Sequence, residues 1–152
     1  MNRHHLNRLL KLANHLRYGK LMHKEFYFGN YNGTIDDEYD KKGCGTTGCA
    51  IGECPAVFRQ WVNALDSDGT FMPMLQVMPK SRNGSVQTEK SGMEFFGMED
   101  LEYGSVFIPG ASDRKLESNA TKNKVSAHIR KFVKFKCKEL KIPYTSLVNK
   151  RK

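Results

Sequence analysis

The segment Cys44-Gly45-Thr46-Thr47-Gly48-Cys49-Ala50-Ile51-Gly52 places three glycines, two threonines and two thiols within nine residues. A threonine at the entrance of a helix accepts one of the amide protons that the helix leaves unpaired. Glycines beside it let the remaining N–H groups approach a ligand or a neighbouring backbone with no Cβ in between. Gly45, Thr46, Thr47 and Gly48 therefore form a candidate anion site. The aromatic run before it adds Tyr27 and Tyr31 as stacking surfaces for a base. The segment lacks the lysine of a P-loop and the G-x-G-x-x-G spacing, so a standard triphosphate or dinucleotide cradle is disfavoured. A tight packing corner is the structural alternative for the same residues.

The thiols permit two other chemistries. Cys44, Cys49 and Cys54 recur at five-residue steps, which on a helix turns successive side chains about 140° apart, a poor match to the paired ligands of structural zinc. His23 or Cys137 would have to complete such a site from elsewhere in the fold. A cysteine in the first turn of a helix, Cys49 here, is a candidate nucleophile with His23 or His128 as base. Small buried thiols and a packed histidine are the plainer reading, and the chain leans away from being an enzyme. His4 and His5 face different directions and read as a solvated N-terminus, and Asp36, Asp37, Glu38 and Asp40 as a solvated acidic loop.

Charge is unevenly distributed. The net charge is +9, but Thr121–Lys152 alone carries +10, with eleven basic residues against Glu139, so the rest of the chain is close to neutral at −1. A basic terminal segment is a footprint of polyanion contact. Within it Lys131, Lys134 and Lys138 are the residues expected to attract an anionic small molecule of nucleotide type or a nucleic acid. No window reaches the roughly 18 apolar residues of a membrane span, and no secretory leader is evident, so four reduced cysteines in a cytosolic chain are expected. No membrane partner and no cofactor is called for.

These residues must be held by a fold, and 152 residues suffice for one core. The pattern predicts a mainly helical α+β class: a single compact domain over 1–142 with four to five helices and a small antiparallel hairpin or sheet, an irregular excursion at 66–91, and a basic mobile tail at 143–152. Leu6, Leu9, Leu10, Ala13 and Leu16 predict an amphipathic helix from Asn2 to Tyr18, ended at Gly19. A short helix is predicted from Thr46 or Thr47 to Glu53. A second follows from Pro55 to Leu65, with Val57, Phe58, Trp61, Val62 and Leu65 on one face and Trp61 as core anchor. Phe71–Met78 is strand-like. Ser91-Gly92-Met93-Glu94 matches a capping box and predicts a short helix ending at Gly97, and Leu101–Pro109 is a further apolar cluster. The last helix, from Ala120 or Thr121 to Leu140, sets Val125, His128, Ile129, Phe132, Val133 and Leu140 opposite Arg130, Lys131, Lys134, Lys138 and Lys141. Lys136 falls on the apolar side.

The Cys44–Gly52 segment, preceded by a leucine-rich helix and followed by Phe95-Phe96-Gly97-Met98 and Val106-Phe107-Ile108-Pro109, resembles small proteins of tailed bacteriophages with the pattern C-G-T-x-x-C-A-[IL]-G. The Asp66–Lys90 excursion and the lysine-rich C-terminus depart from that pattern. The resemblance implies a phage accessory protein made in the host bacterial cytoplasm and acting stoichiometrically on a host protein, a nucleic acid or a nucleotide signal. It carries over no catalytic residues. Three functions are thus expected in order: counter-defence by sequestering a nucleotide-type immune signal, nucleic-acid binding through the basic C-terminal helix, and cysteine- or metal-dependent catalysis.

Overall fold

The computed structural model describes residues 1–22, 26, 28, 49–65, 71–76, 84–108, 116–117 and 119–148. Among them lie six helices and one two-stranded antiparallel sheet, in the order α1 (Arg3–Tyr18), α2 (Cys54–Val57), β1 (Trp61–Leu65), β2 (Phe71–Leu75), α3 (Gly84–Phe96), α4 (Asp100–Phe107), α5 (Lys122–Glu139) and α6 (Thr145–Val148). The class is the mainly helical α+β one the sequence predicts. The described helices exceed the expected four to five because the Leu101 cluster and part of the supposed tail are themselves helical.

Helix α1 forms where its periodicity places it. Leu6, Leu9, Leu10, Leu12, Ala13 and Leu16 are all buried. Asn2 caps the helix by accepting from the His4 and His5 amides at 2.9 and 3.1 Å, and His5 Nδ1 accepts the Asn2 N–H in return at 3.2 Å. This is a capping box with histidine in the place of the usual glutamate. Burial first, and then the charge of Arg8, hold the His5 imidazole below its usual range, favouring the neutral form that can accept. His5 is therefore a structural cap rather than one of a solvated pair.

Three expectations are corrected between residues 49 and 96. Ala50–Glu53 is a turn rather than the end of a helix, and α2 begins only at Cys54. The helix predicted over Pro55–Leu65 stops at Val57, and Trp61–Leu65 is strand β1, paired with β2 so that Trp61 opposes Leu75 and Leu65 opposes Phe71. A five-residue, mainly apolar segment fits either period, and here the partner strand decides it. Pro73 sits inside β2 opposite Asn63. Gln76 N–H bonds Gln60 O at 2.9 Å, so by the alternation of an antiparallel ladder Pro73 falls at a position whose amide would point away from β1, and the missing N–H costs the ladder nothing. Leu75, in the same phase, turns its N–H outward to the buried Ser91 hydroxyl at 3.1 Å. Ser91 is thus not a helix cap: α3 starts seven residues earlier, at Gly84, and Ser91 stitches its interior to the sheet edge.

The core joins α1 to an aromatic cluster in which Phe58 and Trp61 meet Phe95 edge-on at ring separations of 4.8 and 5.6 Å. Trp61 is buried as expected, although on a strand. Arg8 closes this cluster on the α1 side, its guanidinium 3.9 Å above the Phe95 ring and bonded to Phe95 O at 2.7 Å. Helix α3 ends in a turn where Met98 N–H reaches Met93 O and Gly97 takes φ 61°, a left-handed residue for which glycine is suited.

Gly92 lies in the interior of α3, where alanine would ordinarily be favoured by about 1 kcal/mol. A Cβ there would run into the buried Tyr103 ring of α4. Gly92→Ala is therefore expected to destabilise the protein by about 1–3 kcal/mol in urea unfolding. Equal or higher stability would show that α3 and α4 do not pack this closely.

Candidate functional site

Helix α5 begins at Thr121, whose hydroxyl accepts the Lys124 N–H. Its rotation about its own axis is set by α1. Val125, Ser126, Ile129, Val133 and Cys137 are buried, the Ser126 hydroxyl donates to Ala13 O at 2.6 Å, and Arg130 donates to Asn14 Oδ1. The buried stripe thus leans towards Ser126 and Cys137 rather than Leu140, which is exposed. His128 is half-buried and its Nε2 donates to Ser105 O at 2.8 Å, a packing role rather than that of a base.

This orientation sorts the basic residues of the helix. Arg130 is engaged with Asn14 on the α1 side. Lys136, the residue that does not fit the amphipathic pattern, is only 17% exposed and bonds Glu102 Oε1 at 2.5 Å and Glu139 Oε2 at 2.6 Å. Those hydrogen bonds, with Glu102 contributing most, raise its pKa above the usual lysine range. Burial pushes the Glu102 carboxyl up, but its hydrogen bonds to Lys136 and to the Glu99 N–H, together with the lysine charge, outweigh burial and hold it below the usual carboxylate range. Lys136 is therefore electrostatically spent.

Lys122 is half-buried at the first turn, on the opposite side of the helix from Lys131, and Lys124, Lys131, Lys134 and Lys138 remain exposed. Among the described residues none of them makes an ion pair. Positions 131, 134, 135 and 138 recur at the three- and four-residue steps of one helical face, so Phe135, 50% exposed, sits inside the lysine stripe. At the lower end the chain turns through a Schellman motif: Lys141 N–H bonds Lys138 O and Ile142 N–H bonds Cys137 O at 2.9 Å, with Lys141 at φ 55°. The turn brings back Ile142, Pro143 and Tyr144 to form, with Lys134, Cys137, Lys138 and Lys141, an open groove of about 450 Å³. Lys134 Nζ stands 5.2 Å from the Tyr144 ring centre. Beyond it α6 docks by the buried Leu147, and Arg3 bonds Ser146 O at 3.0 Å, so residues 143–148 are a packed end rather than the expected free tail.

Of the residues singled out in the sequence, Lys131, Lys134 and Lys138 are brought together on this face. Gly45, Thr46, Thr47, Gly48, Tyr27 and Tyr31 lie outside the described residues, as do Cys44 and His23. Cys49 is buried ahead of a turn rather than in a first helical turn, with Sγ accepting the Gly52 N–H at 3.3 Å. Cys54 is fully buried, and burial, then the nearby Cys49 and Glu53, push its thiol well above the usual range, away from thiolate chemistry. The fully buried Glu53 accepts from His15 Nε2 at 2.8 Å and from Met22 N–H at 3.0 Å, tying the end of α1 to the turn before α2. No group of three or more potential metal ligands occurs among the described residues. Phe135 and Tyr144 were missed. The 131/134/138 spacing was the available signal for Phe135, whereas Tyr144 is brought in only by the turn at Lys141.

No protein-family model, no curated protein and no solved structure matches this chain. Among the described residues no helix is long and apolar enough to cross a membrane.

The Glu102–Lys136 pair has a definite pH signature. A carboxyl held low in the fold contributes stability that is complete above its unfolded value, about 4.3, and is lost as pH falls through the lower folded value. Glu102→Gln is therefore expected to flatten the acid limb of a stability-against-pH curve. An unchanged acid limb would contradict the pairing.

Proposed function

We propose that this chain binds nucleic acid through the outward face of α5. The observation that carries the reading is the exposed stripe Lys124, Lys131, Lys134 and Lys138 with Phe135 among them, its charges not offset by acidic partners among the described residues. A lysine face alone also serves solubility. A half-exposed aromatic ring held within it has no such use, and lysines interleaved with an aromatic side chain match a backbone of phosphates carrying bases.

The dimensions fit. From Lys124 to Lys138 the helix advances about 21 Å, and a duplex strand presents a phosphate about every 3.4 Å, so several phosphates lie within reach of the stripe and of Lys141 beyond it. The protein acts stoichiometrically in this reading, by occupying host or phage nucleic acid. The nucleotide-signal alternative shares Lys131, Lys134 and Lys138 but sets the phosphate at Gly45–Gly48 with Tyr27 and Tyr31, which lie outside the described residues, and the Phe135 ring within the α5 stripe supports the polymer.

Anisotropy of a labelled oligonucleotide titrated over a range of KCl checks this. Neutralising about four phosphates is expected to give a slope of about −3 to −4 in log K against log salt. The triple variant Lys131→Glu/Lys134→Glu/Lys138→Glu is expected to lose binding while keeping its helical circular dichroism. A flat salt response, or undiminished binding by a folded triple variant, would overturn the proposal.

A further inference from the structure

We infer that the groove at the C-terminal end of α5 seats one unpaired nucleotide, so that the protein favours single-stranded over duplex nucleic acid. The inference rests on the reading of α5 as a nucleic-acid face and specifies which form of nucleic acid that face takes.

The groove is built from two kinds of surface. Cys137, Ile142, Pro143 and Tyr144 supply apolar area, and Lys134, Lys138 and Lys141 supply the charge. Its volume of about 450 Å³ lies within the range of small-molecule sites, about 300–1,000 Å³. An apolar floor edged by three lysine side chains, with Lys134 Nζ 5.2 Å from the Tyr144 ring centre, is complementary to a flat heteroaromatic ring carrying a phosphate. In a duplex the bases are stacked and paired, so a base can enter only from an unpaired strand. Phe135, one residue from Lys134 on the same exposed face, offers a second ring to the neighbouring base.

The end of a helix is ordinarily a poor place for an anion, because the final carbonyls carry partial negative charge. Here the turn offsets much of that. Lys136 O, Lys138 O and Cys137 O accept from the Leu140, Lys141 and Ile142 amides. Burial keeps the Cys137 thiol above its usual range, in the neutral form, so the floor adds no thiolate.

Lys141 gives an independent sign. Among the described residues it alone, apart from Gly97, has positive φ, and it occupies the position where helices most often place glycine. A lysine there is strained relative to glycine. What the side chain does is complete the lysine rim of the groove. Stability and binding should therefore pull in opposite directions at this residue.

The test measures affinity of the full chain for a labelled oligothymidine strand of about twelve nucleotides and for a duplex of the same length, in the same salt. The single strand is expected to bind about tenfold more tightly. Tyr144→Leu, which keeps apolar volume in the floor, is expected to weaken single-strand binding about tenfold and duplex binding less than about twofold. Lys141→Gly is expected to raise the melting temperature by about 2 °C while weakening single-strand binding about threefold. Equal affinity for the two forms, or a Tyr144→Leu variant that keeps the preference, would overturn the inference and leave the α5 reading standing. A melting temperature lowered by Lys141→Gly would overturn the argument from strain. Absence of binding to either form would instead remove the α5 reading itself.

Discussion

The rotation of α5 against α1 is the constraint on which the exposed lysine face depends. Val125, Ile129 and Val133 are fully buried, each contributing about 1.5–3 kcal/mol by leaving water, and the Ser126 hydroxyl is fixed on Ala13 O. Turning the helix by one residue would expose part of that stripe and drive a lysine into the interface, where an unpaired ammonium is far costlier than a lost methyl contact. The apolar side thus dictates the polar one. Lys131, Lys134, Phe135 and Lys138 face outward because the leucines of α1 leave the helix no other stable phase.

Charge on α5 is then sorted by what the fold supplies nearby. Lys136 points towards α4, meets Glu102 and the adjacent Glu139, and becomes part of the scaffold. Arg130 meets Asn14 on α1. The exposed lysines left over share one side of the helix, and that side continues into the groove formed when the chain reverses at Lys141. An excess of positive charge concentrated in the C-terminal segment of the sequence becomes an oriented surface in the fold, with apolar rings interspersed.

Much of this was legible in advance where the signal was long and locally complete. Helices α1 and α5 each run more than four turns with a capping residue and a repeating apolar face, so local preference and tertiary packing agree. Agreement fails where the deciding partner is remote. Trp61–Leu65 has the composition of either a helix or a strand until Phe71–Leu75 pairs with it. Ser91 looks like a cap until its hydroxyl finds the Leu75 amide from the sheet. Lys136 looks misplaced until Glu102 arrives from α4. The same division holds for the site: Lys131, Lys134 and Lys138 follow from helical spacing, whereas Tyr144 and the groove depend on a left-handed lysine that no pattern of hydrophobicity reveals.

Amide chemical-shift mapping during titration with a single-stranded oligonucleotide tests the central claim most directly, because it reports which surface is occupied whatever the affinity. The account requires the largest changes at Lys131, Lys134, Phe135 and Lys138 and at Lys141–Tyr144, with the buried amides of α1 little affected. Changes confined to other elements, with α5 silent, would contradict it.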